Sequence, residues 1–299
     1  MILVVGGTGQ LGGRVVSLLR QHGQTVRCLV RPGTDAGQLR NEGVEVVTGD
    51  LANPASLPGA CEHAETVVAT ATVIGRRLAG ARRPSIREVD QMGMAGLIAA
   101  AEAASVARFV YVSMAGADAN LGTPLERAKL ATEQRLGRSS MRSVIVRPDA
   151  FQDIHLAPMG RFDIARGKVA VFGKGDTKRR WVSTDDVATL VAALAVERDP
   201  PAMVEFGGPE SLSRNEAIAI AEQVTGRPIK RQRMPRSVAR LGMRVLARPN
   251  DALASVFGAG LLQDLVASSW DDAPLKERGI HAKPASQFIR EQAQRLSET

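Results

Sequence analysis

The chain opens on a run of apolar residues, Ile2 to Val5, followed at once by glycines. So short a continuous run reads as a strand buried on both faces. The signature returns at residues 25–30, 44–48, 66–70, 108–113 and 143–147. Between these runs, residues 11–22, 85–104 and Pro124–Leu136 read as helices. Strands alternating with helices predict right-handed βαβ units and a parallel sheet. Beyond Pro148 the rhythm loosens. Strands are expected at 169–172 and Met203–Phe206, and helices at 185–197, Arg214–Thr225 and 285–296. A polar loop covers 173–180, and an apolar stretch covers 253–268.

The turn after the first run reads Gly6-Gly7-Thr8-Gly9-Gln10-Leu11-Gly12. Glycines at 6, 9 and 12 sit between a strand and a helix. The first permits a tight turn, the second lets backbone amides approach a pyrophosphate, and the third lets helix and strand pack closely. The helix N-terminus adds free N–H donors and a positive partial charge. This is a dinucleotide fingerprint in its required context. The expected fold is therefore α/β, a Rossmann-type doubly wound parallel sheet with a smaller C-terminal α/β lobe. Residues 1–150 are expected to form the NAD(P)-binding domain. Residues 151–299 would form the lobe packed on it, completing a substrate or partner site within one structural unit. Cofactor choice turns on the end of the second strand, where NAD sites usually carry a carboxylate for the ribose 2′-hydroxyl. Here Arg31 stands there, and a guanidinium can grip a 2′-phosphate with paired hydrogen bonds. Arg14 is a second candidate for that task. NADP(H) is thus favoured over NAD(H).

Composition narrows the picture. Aromatic residues make up only 3% of the 299, as suits a Val-rich sheet under Ala-rich helices. No apolar run reaches the roughly 18 residues of a membrane span. The first strand begins at Ile2, leaving no room for a signal peptide, and Cys28 and Cys61 form no metal-spaced cluster. A cytoplasmic protein without a metal is expected. The net charge of +8 is local: eight basic residues and no acidic one lie between Arg227 and Asn250. A uniformly basic chain would suggest nucleic acid; a balanced chain with one basic segment argues against it. Within that segment Arg236, Arg240, Arg244 and Arg248 recur every fourth residue, which places them on one side of a helix. Val238, Leu241, Val245 and Leu246 fall on the other side. Such a basic amphipathic helix suits an anionic surface, either lipid headgroups or an acidic protein, so peripheral attachment to a membrane is a second option for location. A solvated lobe helix with its apolar side on the core is the simpler expectation.

Together these motifs resemble the NmrA-like group of atypical short-chain dehydrogenases/reductases, most closely between Met1 and Leu194. The resemblance rests on the glycine turn, Gly49-Asp50-Leu51, the run Arg108-Phe109-Val110-Tyr111-Val112-Ser113, Val146-Arg147-Pro148, and the junction from Val182 to Ala188. It implies that Asp50 and Leu51 lie by the adenine, that Ala69, Thr70 and Ala71 line the adenosine ribose and pyrophosphate, and that Pro148 lies near the nicotinamide. From the residues alone, Asp50 equally suits a turn cap, and Ser183 with Asp186 a helix start.

Short-chain dehydrogenases use a Ser and a Tyr-x-x-x-Lys pair, the Tyr giving a proton and the Lys lowering its pKa while holding the nicotinamide ribose. Ser113 and Lys129 match the first and last of these, but Leu125 stands where the Tyr belongs. Leucine has no proton to give. Three readings follow. The protein is an oxidoreductase acting on a small carbonyl, enone or quinone, with His155 or Asp153 as substitute donor or with no strong acid needed. It senses the cofactor and regulates a protein partner. Or it is a non-catalytic assembly or accessory factor. The opening residues resemble photosystem assembly factors of the same superfamily, and residues 206–228 resemble an accessory subunit of respiratory complex I.

Overall fold

A computed structural model describes residues 1–297; the last two residues of the expected lobe lie outside the described residues. The apolar runs form seven parallel strands of one sheet. These are β1 (Ile2–Val5), β2 (Val26–Val30), β3 (Glu45–Thr48), β4 (Thr66–Ala69), β5 (Arg108–Val112), β6 (Arg142–Pro148) and, much later in the chain, β9 (Met203–Phe206). Their order is β3-β2-β1-β4-β5-β6-β9. All residues of β1, β2 and β4 are buried, which is why these strands read as largely apolar runs, broken only by Arg27 in β2 and Thr66 in β4. Val5 pairs with Leu29 on one side and Ala69 on the other. The strand order reverses between β1 and β4, and that reversal opens a crevice at the carboxyl ends of the strands.

Helices α1 (Gln10–Gln21) and α4 (Thr184–Val196) cover one face of the sheet through Val15, Val16, Leu19, Val187 and Leu190. Helices α2 (Met94–Ala103) and α3 (Pro124–Leu136) cover the other through Leu97, Ile98, Ala128 and Leu136. The helix expected at 85–104 is wound as a π-helix over Arg87–Gly93 before it becomes α2. In that stretch the buried Asp90 carboxylate accepts from the Val73 amide at 3.1 Å. Local sequence gives α3 a firm start: Thr123 and Glu126 form a capping box, and Pro124 takes the first turn.

A second, three-stranded sheet has the order β10-β8-β7, from β7 (Phe162–Asp163), β8 (Lys168–Phe172) and β10 (Lys230–Met234). Helices α5 (Arg214–Thr225) and α8 (Ala285–Ser297) pack on it around Leu156, Phe162, Val169, Trp181, Ile218 and Ile289. The chain past residue 150 divides between the two bodies, because α4 and β9 return to the large sheet. Strand β10 escaped the pattern analysis. It is an edge strand whose Lys230, Arg231, Gln232 and Arg233 are all exposed, so no apolar alternation marks it.

The remaining helices, α6 (Arg236–Leu246) and α7 (Asp251–Leu265), pack on each other beside both bodies. Helix α7 is fastened at its two ends. Asp251 accepts from Arg77 Nε at 2.8 Å and from the Ile86 amide at 2.7 Å. Asp264 pairs with Arg236 and accepts from the Lys174 amide at 3.0 Å. Beyond α7, Ser268 and Trp270 both donate to Asp149, a fully buried carboxylate at the end of β6 that also pairs with the buried Arg179. Among the described residues, no helix is long and apolar enough to cross a membrane.

Candidate functional site

The crevice between β1 and β4 is built around the glycine turn. Gly6 adopts a φ of +103°, which only glycine accepts readily. A Cβ on Gly12 would stand 2.2 Å from the Gly6 carbonyl oxygen, so turn and helix touch there. Gly9 differs: a Cβ there would meet one protein atom within 4 Å, the Gly6 oxygen at 3.2 Å. The protein's own packing presses on position 9 far less than on position 12, since a Cβ there needs the Gly6 carbonyl to give by only a few tenths of an ångström. What a side chain would fill is the exposed space in front of α1. Gly9 is the N-cap of that helix, without a side-chain cap and without an acidic residue in the first turn. The amides near Gln10, Leu11 and Gly12 thus remain available to an anion. Thr8 and Gln10 are exposed beside them, and Leu11 is half-buried. Across the crevice, Ala69 ends β4, Thr70 Oγ1 donates to the Val5 carbonyl at 3.3 Å, and the Ala71 amide donates to the same oxygen at 3.1 Å.

Arg31 follows β2 directly and is exposed, and among the described residues its guanidinium has no hydrogen-bond or ion-pair partner. The nearby Asp35 closes a local turn by accepting from the Gly37 amide at 2.8 Å. Arg14 instead pairs with Asp185 of α4 and donates to the Gln10 carbonyl, so it is already committed. Asp50 accepts from the Ala52 amide at 2.9 Å and so closes its own turn, and Leu51 is buried beside it. Open amides at a helix start, the open crevice before Gly9 and an unpaired Arg31 fit the phosphates of a dinucleotide.

At the carboxyl end of β5 the structure brings Ser113 and Lys129 together. The Ser113 hydroxyl donates to Glu133, which also receives two hydrogen bonds from Arg147, at 3.0 and 2.5 Å. Lys129 is buried; its Nζ donates to the Val112 carbonyl at 2.7 Å and lies 4.8 Å from the Tyr111 ring centroid. Burial pushes the ammonium pKa down, opposed by the charges of Asp90 and Glu133. Pro148 is buried at the end of β6, where its carbonyl accepts from the Ala115 amide at 2.9 Å. Leu125 lines a small cavity with Met114, Leu121, Thr123, Ser255 and Leu262. Helix α7 closes that cavity, with Ser255 Oγ accepting from the Leu125 amide at 3.2 Å. Its volume is about 30 Å³. His155 lies apart, in the second body, 6.3 Å from the Trp181 ring with its Nδ1 3.0 Å from Gln263 Nε2. Asp153 accepts from the Thr184 amide at 2.7 Å at the start of α4.

A family model described as NAD(P)H-binding matches residues 6–198. The chain belongs to the NAD(P)H-binding family. Its sequence is 31% identical over 244 residues to the chloroplastic protein High Chlorophyll Fluorescence Phenotype 244 of Arabidopsis thaliana, covering 80% of this chain and 59% of that one. It is 30% identical over 243 residues to the photosystem II assembly factor Ycf39 of Synechocystis, covering 80% and 72%. It is 28% identical to the NAD(P)H azoreductase of Xenophilus azovorans over 298 residues, 98% of each chain. In fold it matches an NADPH-dependent quinone oxidoreductase of Escherichia coli, solved with NADPH, with a TM-score of 0.77 at 20% identity over 98% of this chain and 99% of that one.

Sequence reasoning missed the partners that occupy Ser113 and Lys129. Glu133 lies one helical turn past Lys129, and Arg147 is the next-to-last residue of the buried strand β6, beside Pro148. The charge of Arg147 among the buried residues of β6 was the available signal, since a charge at such a position needs a partner, whereas Glu133 sits among other charged residues of α3 and gave none.

Proposed function

We propose that this NAD(P)H-binding protein is an NADPH-dependent oxidoreductase that reduces a conjugated acceptor of the quinone or enone class. One observation carries the reading: none of the three positions of the usual proton relay, Ser113, Leu125 and Lys129, presents a free proton donor. Leu125 is aliphatic, the Ser113 hydrogen goes to Glu133, and the Lys129 ammonium faces the Val112 carbonyl. The cofactor, when bound, supplies a hydride. Reduction of an aldehyde then leaves a strongly basic alkoxide that needs an acid at hand. A reduced quinone or enone is a stabilised, weakly basic anion that takes its proton from water.

In this reading Gly6, Thr8, Gly9, Gln10, Leu11 and Gly12 hold the pyrophosphate, and Arg31 holds the 2′-phosphate. Asp50 and Leu51 border the adenine, and Ala69, Thr70 and Ala71 border the adenosine ribose. Pro148 borders the nicotinamide. Ser113 and Lys129 keep the end of β5 in shape rather than exchanging protons. NADP(H) is preferred over NAD(H) because the end of β2 offers a free cation and no free carboxylate.

A second reading draws on the cavity volume, about 30 Å³, which is room for a water and no more. In that reading α7 stays shut and the loaded protein serves as a binding factor, in line with its likeness to Ycf39. A screen of NADPH oxidation against quinones, enones and aldehydes separates the two. Turnover of quinones or enones with little on aldehydes is the expected result. NADPH binding without turnover of any acceptor would leave the binding-factor reading.

A further inference from the structure

We propose that the outer face of α6 docks on an anionic lipid surface. The helix is seated the wrong way round for a solvated one. Its core side carries Ala239 and Met243, which pack on Phe257 and Leu261 of α7. Its larger aliphatic residues point outward: Val238 is 49% exposed, Leu241 62% and Val245 63%. This overturns the simpler sequence expectation, in which that apolar stripe covers the core. Only Leu246 of the four predicted apolar residues is partly covered.

The arginines divide as well. Arg236 is withdrawn from the row by its pairing with Asp264. Arg240 and Arg244, with Arg248 just past the helix end, are exposed, and none of the three has a hydrogen-bond or ion-pair partner among the described residues. At 100° per residue they flank the Leu241–Val245 stripe on its open side. Arg233 on the neighbouring edge strand is also exposed and unpaired among the described residues. No acidic residue occurs between Arg227 and Asn250 to offset them.

This layout selects the partner. A second copy of the chain would set these arginines against one another. An acidic protein would satisfy the arginines but supplies no reason for three aliphatic side chains to lie bare beside them on a convex helix. An anionic leaflet meets both needs at once: the aliphatic stripe enters the headgroup–acyl boundary while the arginines reach the phosphates. The surface lies outside the cofactor crevice and does not depend on the activity proposed above.

The test is co-sedimentation of the full chain with vesicles of phosphatidylcholine alone or with about a third phosphatidylglycerol, at low and high salt. Pelleting with the anionic vesicles at low salt, and its loss in pure phosphatidylcholine or high salt, is expected. Each arginine near such a surface contributes about fivefold to partitioning. Arg240→Gln, Arg244→Gln and Arg248→Gln together should therefore weaken binding on the order of a hundredfold. Leu241→Ser with Val245→Ser should also release the protein. Circular dichroism and NADPH affinity, unchanged, show that the variants are folded. No pelleting of the parent at low salt overturns the proposal. So does full binding by either variant: loss with the arginine set but not the serine set describes a purely ionic surface, suited to an acidic protein.

Discussion

A side chain at position 9 would press on one protein atom, the Gly6 carbonyl oxygen, and otherwise fill the crevice before α1. Gly9→Val is therefore expected to lower NADPH affinity by at least a hundredfold while shifting the thermal midpoint little; calorimetry and a melting curve read the two effects. Arg31→Asp should erase or reverse the preference for NADPH over NADH, because it replaces an unpaired cation with the carboxylate typical of NAD sites. Equal affinities for the two cofactors in the parent would refute the role given to Arg31. His155 gives a pH signature. Burial first, and the Arg214 and Arg179 charges second, push its imidazole down from 6.5 to about 4. Between those values the unfolded chain holds a proton that the folded one lacks. Stability is thus complete above the unfolded value and falls as pH drops through the window, by about 3 kcal/mol. The urea midpoint should follow that course, and His155→Gln should flatten it. Position 155 was legible in the sequence as a candidate acid only because nothing local reveals that Trp181, Arg214 and Gln263 gather round it.

At the scale of the element, β5 and α3 act as one unit. Their ends are joined by Ser113, Glu133 and Arg147 on one side and by Lys129 with Val112 on the other. Asp90, on the π-helical stretch, adds a buried carboxylate whose pKa burial raises and the Lys129 charge lowers. Lys129→Met removes the cation and leaves Asp90 and Glu133 less compensated. Its expected effect is a loss of about 3 kcal/mol in denaturant unfolding, partly recovered by adding Asp90→Asn. No recovery in the double variant would separate the two groups. Ser113→Ala should lower turnover by less than tenfold, since its hydroxyl is engaged with Glu133. A loss of a hundredfold or more, the size expected of a general acid, would make Ser113 catalytic.

The whole molecule is held together by buried ion pairs where its parts meet. Asp149 and Arg179 are both buried, and through Ser268 and Trp270 they tie the end of β6 to the segment that follows α7. Arg179→Met should cost about 3 kcal/mol or more, because it strands Asp149 in the interior. The matched Asp149→Asn/Arg179→Met pair should cost less than the sum of the single changes, and an additive result would show the groups uncoupled. The same ties hold α7 over the small cavity beside Leu125. Entry of a conjugated acceptor then requires α7 to move, so substrate-dependent change in amide exchange along α7 is the expected mark of an enzyme.

What the sequence determined by itself is what depends on near neighbours along the chain. Buried parallel strands show as apolar runs, helix starts show as capping residues such as Ser183, whose Oγ accepts from the Asp186 amide at 2.9 Å, and the glycine turn shows as spacing. These make most strands and helices of the large sheet, and the glycine turn between the first strand and helix, legible in the chain. Tertiary structure decided the rest, because burial and charge pairing join residues far apart. It turned Arg14 toward Asp185 and left Arg31 free, and it gave the hydrogen of Ser113 to Glu133. It returned α4 and β9 to the first sheet. It also faced the large aliphatics of α6 outward: periodicity defines two faces of a helix, but only the shape of the neighbouring α7 decides which face is covered.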